Sequence, residues 1–137
     1  MEMTFSQVEG KVPVTVLKLN GDLDGSSYQD AIAGARSLYD RGTRDMVLDL
    51  SDVLYMSSAG VVALQSIAAL LKGDLPPDPE MGWSAYHSME QDADSGYHPR
   101  LKLLNPQPRV DQVLETLGLK TYFEIFTDLN SAVQSFG

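Results

Sequence analysis

Short apolar segments that alternate with helix-like segments constrain the fold of this chain more than any other feature. TFSQV (4–8) and VTVLKL (14–19) contain β-branched residues, and the intervening EGKVP suits the turn of a hairpin. DMVLDL (45–50) is a compact apolar run, typical of a central strand that is buried on both faces. LKLLN (101–105) and TYFEIF (121–126) complete the set of predicted strands.

The segments between these strands have the composition of helices. YQDAIAGARSLYDRG (28–42) has apolar residues on one face, and AGVVALQSIAALLKG (59–73) is rich in Ala and Leu. PQPRVDQVLETLGL (106–119) begins with proline, and TDLNSAVQSF (127–136) begins with a capping Thr-Asp pair. Strands that alternate with helices predict a single α/β domain over residues 1–137. We expect a mostly parallel sheet of about five strands with an N-terminal hairpin, and about four helices.

Residues 74–100 interrupt this alternation. The segment contains four prolines and six acidic residues against one arginine, and its apolar residues follow no period. This composition predicts a flexible acidic insertion loop. The chain's two histidines, His87 and His98, both fall within it. We therefore expect neither histidine to be held firmly enough for catalysis or for metal binding.

The composition argues against several classes of function. A net charge of −9 does not suit a nucleic-acid-binding protein, and the absence of cysteine excludes disulfides and thiolate metal ligands. No apolar run reaches the roughly 20 residues of a membrane helix, and no signal peptide is visible. No glycine motif for a dinucleotide or a nucleoside triphosphate occurs. We expect a cytoplasmic protein with no cofactor, no metal and no membrane contact.

Two serines in YMSSAG (55–60) immediately precede the helix rich in Ala and Leu. Serine at this position is most often an N-cap. A serine nucleophile would need a base and a third group, and the flanking residues do not form a G-x-S-x-G elbow. We therefore expect no enzymatic activity, although a small-molecule sensor or a hydrolase that uses Ser58 stays an alternative.

The helix that follows the serines is apolar well beyond the single stripe that a surface helix needs. Two explanations stay open from the sequence. Either this helix is packed deeply in the core, or part of its surface is covered by the insertion loop or by another protein.

Three segments, in the right order, resemble the STAS domain of bacterial anti-sigma factor antagonists. MVLDLSDVLYMSSAGVVAL is similar to the family's buried strand, D-S-[ST]-G motif and following helix. LKLNGDLDGSSYQDAIAGA is similar to its L-x-G-x-L-D segment and first helix. LKLLNPQPRVDQVLETLGLKTYFEIFTDLNSAV is similar to its last third. The resemblance covers nearly the whole chain except residues 74–100.

The resemblance implies a regulatory protein in bacterial transcription, which binds an anti-sigma factor that is also a serine protein kinase. In the family the second residue of D-S-[ST]-G is phosphorylated, and this residue is Ser58 here. Ser57 replaces the motif's acid and is the alternative acceptor, while Ala59 takes the third position. The implied partner-binding residues are Asp22, Asp24, Ser57, Ser58, Ala59, Gly60 and Val61.

A further possibility follows from the same resemblance. It is a STAS scaffold or lipid-transport subunit that is never phosphorylated, and the replacement of the motif's acid by Ser57 favours it. A weak homodimer is also a possibility that the sequence leaves open.

Overall fold

The computed structural model describes residues 1–73 and 97–137 of the chain. Within these residues the secondary structure consists of β1 (Glu2–Glu9), β2 (Pro13–Asn20), α1 (Tyr28–Asp40), β3 (Met46–Asp52), α2 (Ser58–Leu71), β4 (Leu101–Leu104), α3 (Pro108–Thr116), a 3-10 turn (Leu119–Thr121), β5 (Ile125–Phe126) and α4 (Leu129–Gln134). The strands form one sheet in the order β1-β2-β3-β4-β5. The first pair is antiparallel and the other pairs are parallel, which confirms the predicted fold class.

The two faces of the sheet bury two separate clusters. Successive residues of a strand point to opposite faces. Leu17 and Leu48 therefore contribute to the larger cluster, which includes side chains from α1, α2 and α3. Val16 and Val47, their neighbours in the chain, contribute to the smaller cluster under α4.

Helix α2 is packed deeply in the larger cluster, as the first of the two explanations from the sequence predicts. Ten of its residues are buried, and it packs against α1 as well as against the sheet. Cover by the insertion loop stays untested, because residues 74–96 lie outside the described residues. Within the described residues no helix is long and apolar enough to cross a membrane.

The last strand is shorter than predicted. We expected a strand over residues 121–126, but only Ile125–Phe126 is a strand. Gly118 adopts a left-handed conformation with φ of 72°, and the N–H of Phe123 then donates to Leu119 O at 2.8 Å. Aromatic residues favour a strand, but here the rings of Tyr122 and Phe123 are buried edge to face in the core, 4.9 Å apart.

The predicted insertion loop falls largely on residues 74–96, which lie outside the described residues, so that prediction stays untested. His98 belongs to the described part, and the expectation that it is held loosely is wrong. Its ring is buried, Nε2 lies 2.8 Å from Ala68 O, and Nδ1 accepts the N–H groups of Arg100 and Leu101 at 3.0 Å each. Because Nδ1 accepts two hydrogen bonds, the proton of the neutral ring is on Nε2.

Candidate functional site

Two loops that are distant in sequence lie side by side where β2 and β3 end. These paired loops are residues 22–27 and residues 55–60. Leu23 forms a parallel bridge with Met56. The N–H of Leu23 donates to Tyr55 O at 2.9 Å, and the N–H of Ser57 donates to Leu23 O at 3.0 Å. The acidic segment and the serine segment, which the sequence predicts to act together, are therefore adjacent.

Gly60 allows the paired loops to approach this closely. A Cβ atom at Gly60 would lie 2.5 Å from Met56 Cγ and 2.6 Å from Leu23 O. Both Leu23 and Met56 are buried, so neither can move away without disturbing the packing around it. The motif glycine is therefore a requirement of packing, and it fixes the position of the 22–27 loop relative to α2.

The two serines have different roles in the structure. Ser57 is the N-cap of α2, and its Oγ accepts the N–H of Ala59 at 3.2 Å. Ser58 is the first residue of α2 and is exposed, and its hydroxyl has no hydrogen-bond partner among the described residues. Capping thus accounts for Ser57 and leaves the hydroxyl of Ser58 available.

The two acids of the 22–27 loop also differ. Asp24 is half-buried, and its Oδ1 accepts the hydroxyl of Ser26 at 2.6 Å and the N–H of Ser26 at 2.9 Å. These bonds from Ser26, the hydroxyl first, lower the pKa of Asp24 below 3.8. Asp22 is exposed, and its carboxylate has no partner among the described residues. Asp24 therefore organises the loop, whereas Asp22 presents a free negative charge.

The remaining predicted partner-binding residues are less accessible. Ala59 is half-buried, while Gly60 and Val61 are buried. Val61 belongs to the larger core cluster, so it acts through the packing of α2 and does not offer a contact surface.

Two exposed apolar residues beside the serines were missed by the sequence analysis. Leu54 is 64% exposed and Tyr55 is 45% exposed, whereas their neighbours Val53 and Met56 are buried. The sequence does contain a signal, because four consecutive apolar residues follow Asp52 at a point where the strand has to end. Composition alone does not say which of the four point outwards.

The described residues place neither a histidine nor a group of metal-binding side chains at this site. His98 lies near the C-terminal end of α2, whereas both serines lie at its N-terminal end. In residues 1–73 and 97–137 no three His, Cys, Asp or Glu side chains are grouped closely enough to hold a metal ion.

A parallel sheet with an N-terminal hairpin, and a serine-containing turn that opens the helix after β3, define a STAS-type α/β domain. Residues 6–73 match the family model described as the STAS domain. The STAS resemblance recognised in the sequence is therefore confirmed by the match over residues 6–73. No curated protein sequence matches the chain significantly.

Solved structures with the same fold include anti-sigma factor antagonists. One from Mycobacterium paratuberculosis has a TM-score of 0.63 and 16% identity, and the match covers 98% of this chain and 93% of that chain. The antagonist SpoIIAA in its unphosphorylated form has a TM-score of 0.57 and 19% identity, and the match covers 95% of this chain and 92% of that chain. The Bacillus cell fate determinant SpoIIAA in its phosphorylated form has a TM-score of 0.53 and 18% identity, and the match covers 95% of this chain and 96% of that chain. At these identities the likeness shows the fold.

Proposed function

We propose that this chain is an anti-sigma factor antagonist whose binding to its partner is switched off by phosphorylation of Ser58. The observation that carries this proposal is the exposed hydroxyl on the first residue of α2. The neighbouring Ser57 already caps the helix, so Ser58 is not needed for that role. The proposed partner is an anti-sigma factor that is also a serine protein kinase, as the family resemblance implies.

A phosphoryl group on Ser58 would change the charge of the site while leaving the fold intact. It adds about −1.5 to −2 charges at pH 7. The free N–H groups and the positive dipole end of the first turn of α2 tolerate this charge. A partner packed over Ser58 would have to bury the dianion in the paired loops, which also carry the exposed Asp22, and this costs several kcal/mol in effective terms. A loss of about 4 kcal/mol weakens binding about a thousandfold.

The structural neighbours support this proposal. SpoIIAA has been solved in an unphosphorylated form and in a phosphorylated form. The fold is therefore compatible with both forms in that protein, as a switch based on charge requires.

A STAS scaffold or lipid-transport subunit that is never phosphorylated is the second candidate. Ser57 occupies the position of the motif's acid, and this departure favours a chain that no kinase recognises. Mass spectrometry of the protein from its native cells separates the two candidates, because the scaffold should carry no phosphoserine at residues 57 or 58.

The proposed function is tested with purified anti-sigma factors of the source organism, each incubated with the chain and ATP. We expect one of them to transfer one phosphoryl group to the chain and peptide sequencing to place it on Ser58. Calorimetry should show that the same factor binds the unmodified chain and that Ser58→Asp binds at least about tenfold more weakly, a loss of about 1.4 kcal/mol.

The matched control is Ser57→Asn, which removes the second hydroxyl and keeps a side-chain oxygen at the N-cap. This variant should still be phosphorylated, whereas Ser58→Ala should not. Phosphorylation that persists in Ser58→Ala, or a Ser58→Asp variant that binds as tightly as wild type, would contradict the proposal.

A further inference from the structure

Leu54 and Tyr55 form an apolar pair on the surface, where the 55–60 loop that carries the two serines begins. Leu54 is the most exposed large apolar side chain among residues 1–73 and 97–137. An isolated exposed leucine is ordinary on a protein surface, but two adjacent large apolar side chains next to a candidate binding site are informative.

The backbone beneath this apolar pair is fixed on both sides. The N–H of Val53 donates to Leu50 O at 3.0 Å, and Tyr55 O accepts the N–H of Leu23. The side chains of Val53 and Met56 are buried and hold the ends of the segment. Leu54 and Tyr55 are therefore presented in a set position, so a partner would lose little entropy in ordering them.

A cleft of about 160 Å³ opens where β1 begins and where β2 and β3 end, close in the chain to the apolar pair. Its lining consists of Glu2, Met3, Thr4, Lys18, Asn20 and Asp52. Lys18 Nζ lies 3.2 Å from Asp52 Oδ2, so one ammonium group already pairs with this carboxylate. Glu2 supplies a second carboxylate, which leaves the lining with a net negative charge. Asp52 is two residues from Leu54, so their backbones lie within about 7 Å of each other, and the cleft and the pair together are the candidate surface.

We propose that this surface binds a segment of the partner protein in which a basic side chain lies beside an apolar one. The arginine or lysine enters the cleft between Glu2 and Asp52, and the apolar side chain packs on Leu54 and Tyr55. Carboxylates with an amide and a hydroxyl nearby suit a guanidinium group, which donates in several directions. The inference rests on the proposed function, because it describes the same partner at a second part of the interface.

In this arrangement the residues that supply binding affinity, in the apolar pair and the cleft, differ from the residue whose phosphorylation switches binding off. The cleft is lined by residues of β1, β2 and β3, whereas Ser58 is the first residue of α2. In this proposal the basic side chain binds Glu2 and Asp52, so it is not available to neutralise a phosphate on Ser58.

The experiment measures binding of the purified anti-sigma factor identified above to full-length variants. Leu54→Ser and Tyr55→Ser should each weaken binding by about tenfold or more, as expected for anchors at an interface centre. Asp52→Asn and Glu2→Gln should lower the association rate and flatten its dependence on salt, since rim charges act mainly on association. Thermal unfolding of each variant shows whether the fold is retained.

Two matched controls are Leu117→Ser and Glu9→Gln. Leu117 is 51% exposed and is the C-cap of α3, which follows β4, and Glu9 is an exposed acid at the other end of β1 from Glu2. Neither control should change binding.

Each outcome decides between the two proposals. If Ser58→Asp abolishes binding while the Leu54, Tyr55 and Asp52 variants bind like wild type, this inference is wrong and the proposed function stands. If no anti-sigma factor binds the wild-type chain, both are wrong.

A second copy of the chain is the other conceivable occupant. If sedimentation shows a wild-type dimer that Leu54→Ser dissociates while partner binding is unchanged, the assignment to a partner segment is overturned.

Discussion

At the scale of single residues, the two adjacent serines differ because one completes the helix and the other does not. Ser57 Oγ accepts a hydrogen bond from the N–H of Ala59, while Ser58 is exposed to solvent. The sequence identified both as candidates, but it did not rank them by geometry. The ranking depends on the residue at which α2 begins, and helix boundaries are the least certain part of any prediction from sequence.

Ser57→Asp restores the acid of the family motif and keeps an oxygen at the N-cap. We expect a faster phosphorylation of Ser58, together with a free energy of unfolding that is unchanged or raised by up to about 1 kcal/mol, because a carboxylate favours a helix N-terminus. The initial rate of phosphoryl transfer and urea denaturation measure the two effects. A slower transfer in this variant would show that the acid is not what the kinase recognises.

Asp24 makes the stability of the paired loops depend on acid pH. Its pKa is lowered below 3.8 by the hydrogen bonds from Ser26, so its contribution is present above that pH and is lost as the pH falls through the lowered pKa. Asp24→Asn should therefore lose less stability than wild type on acidification below about pH 4. Urea denaturation curves at a series of pH values across this range measure the free energy of unfolding of both proteins. Asp22→Asn is the control, because its carboxylate accepts no hydrogen bond within the described residues. At pH 7 it should leave the unfolding midpoint in urea unchanged, because no hydrogen bond in the described part of the fold is lost.

At the scale of secondary-structure elements, the paired loops are held together by packing at Gly60 as much as by hydrogen bonds. Gly60→Ala places a methyl group within 2.6 Å of Leu23 O, so Leu23 and the 22–27 loop have to shift. We expect a loss of about 1–3 kcal/mol in the free energy of unfolding, the usual cost of overpacking.

The matched control for Gly60→Ala is Gly25→Ala, in the same pair of loops. A Cβ atom at Gly25 meets nothing within 4 Å, and this glycine has no positive φ. Gly25→Ala should leave the unfolding midpoint in urea unchanged or slightly raised. Equal losses in both variants would mean that the packing at Gly60 does not position the loop.

The elements also show where sequence reasoning stops. The alternation of strands and helices was sufficient to predict every described strand and α-helix, because the apolar period directly reflects which faces are buried. It did not predict the 3-10 turn before β5 or the fixed ring of His98. Both depend on contacts between distant segments, such as His98 with Ala68 on α2, and these leave no local pattern.

At the scale of the whole molecule, the proposed switch requires that phosphorylation alters the surface and leaves the core unchanged. Ser58 belongs to neither buried cluster, and α2 carries its buried residues from Gly60 onwards. We expect the free energy of unfolding of the chain phosphorylated on Ser58 to differ from that of the unmodified chain by no more than about 1 kcal/mol. Any difference should be an increase, because the helix dipole favours the charge.

Calorimetric unfolding of the enzymatically phosphorylated chain measures this difference, and a salt titration identifies its cause. Any gain in stability should shrink at high salt, because screening weakens the interaction of the phosphate with the exposed first turn of α2. A large loss of stability would have a different meaning. Binding would then be lost because the paired loops unfold, and the charge of the phosphate would not be acting directly on the partner.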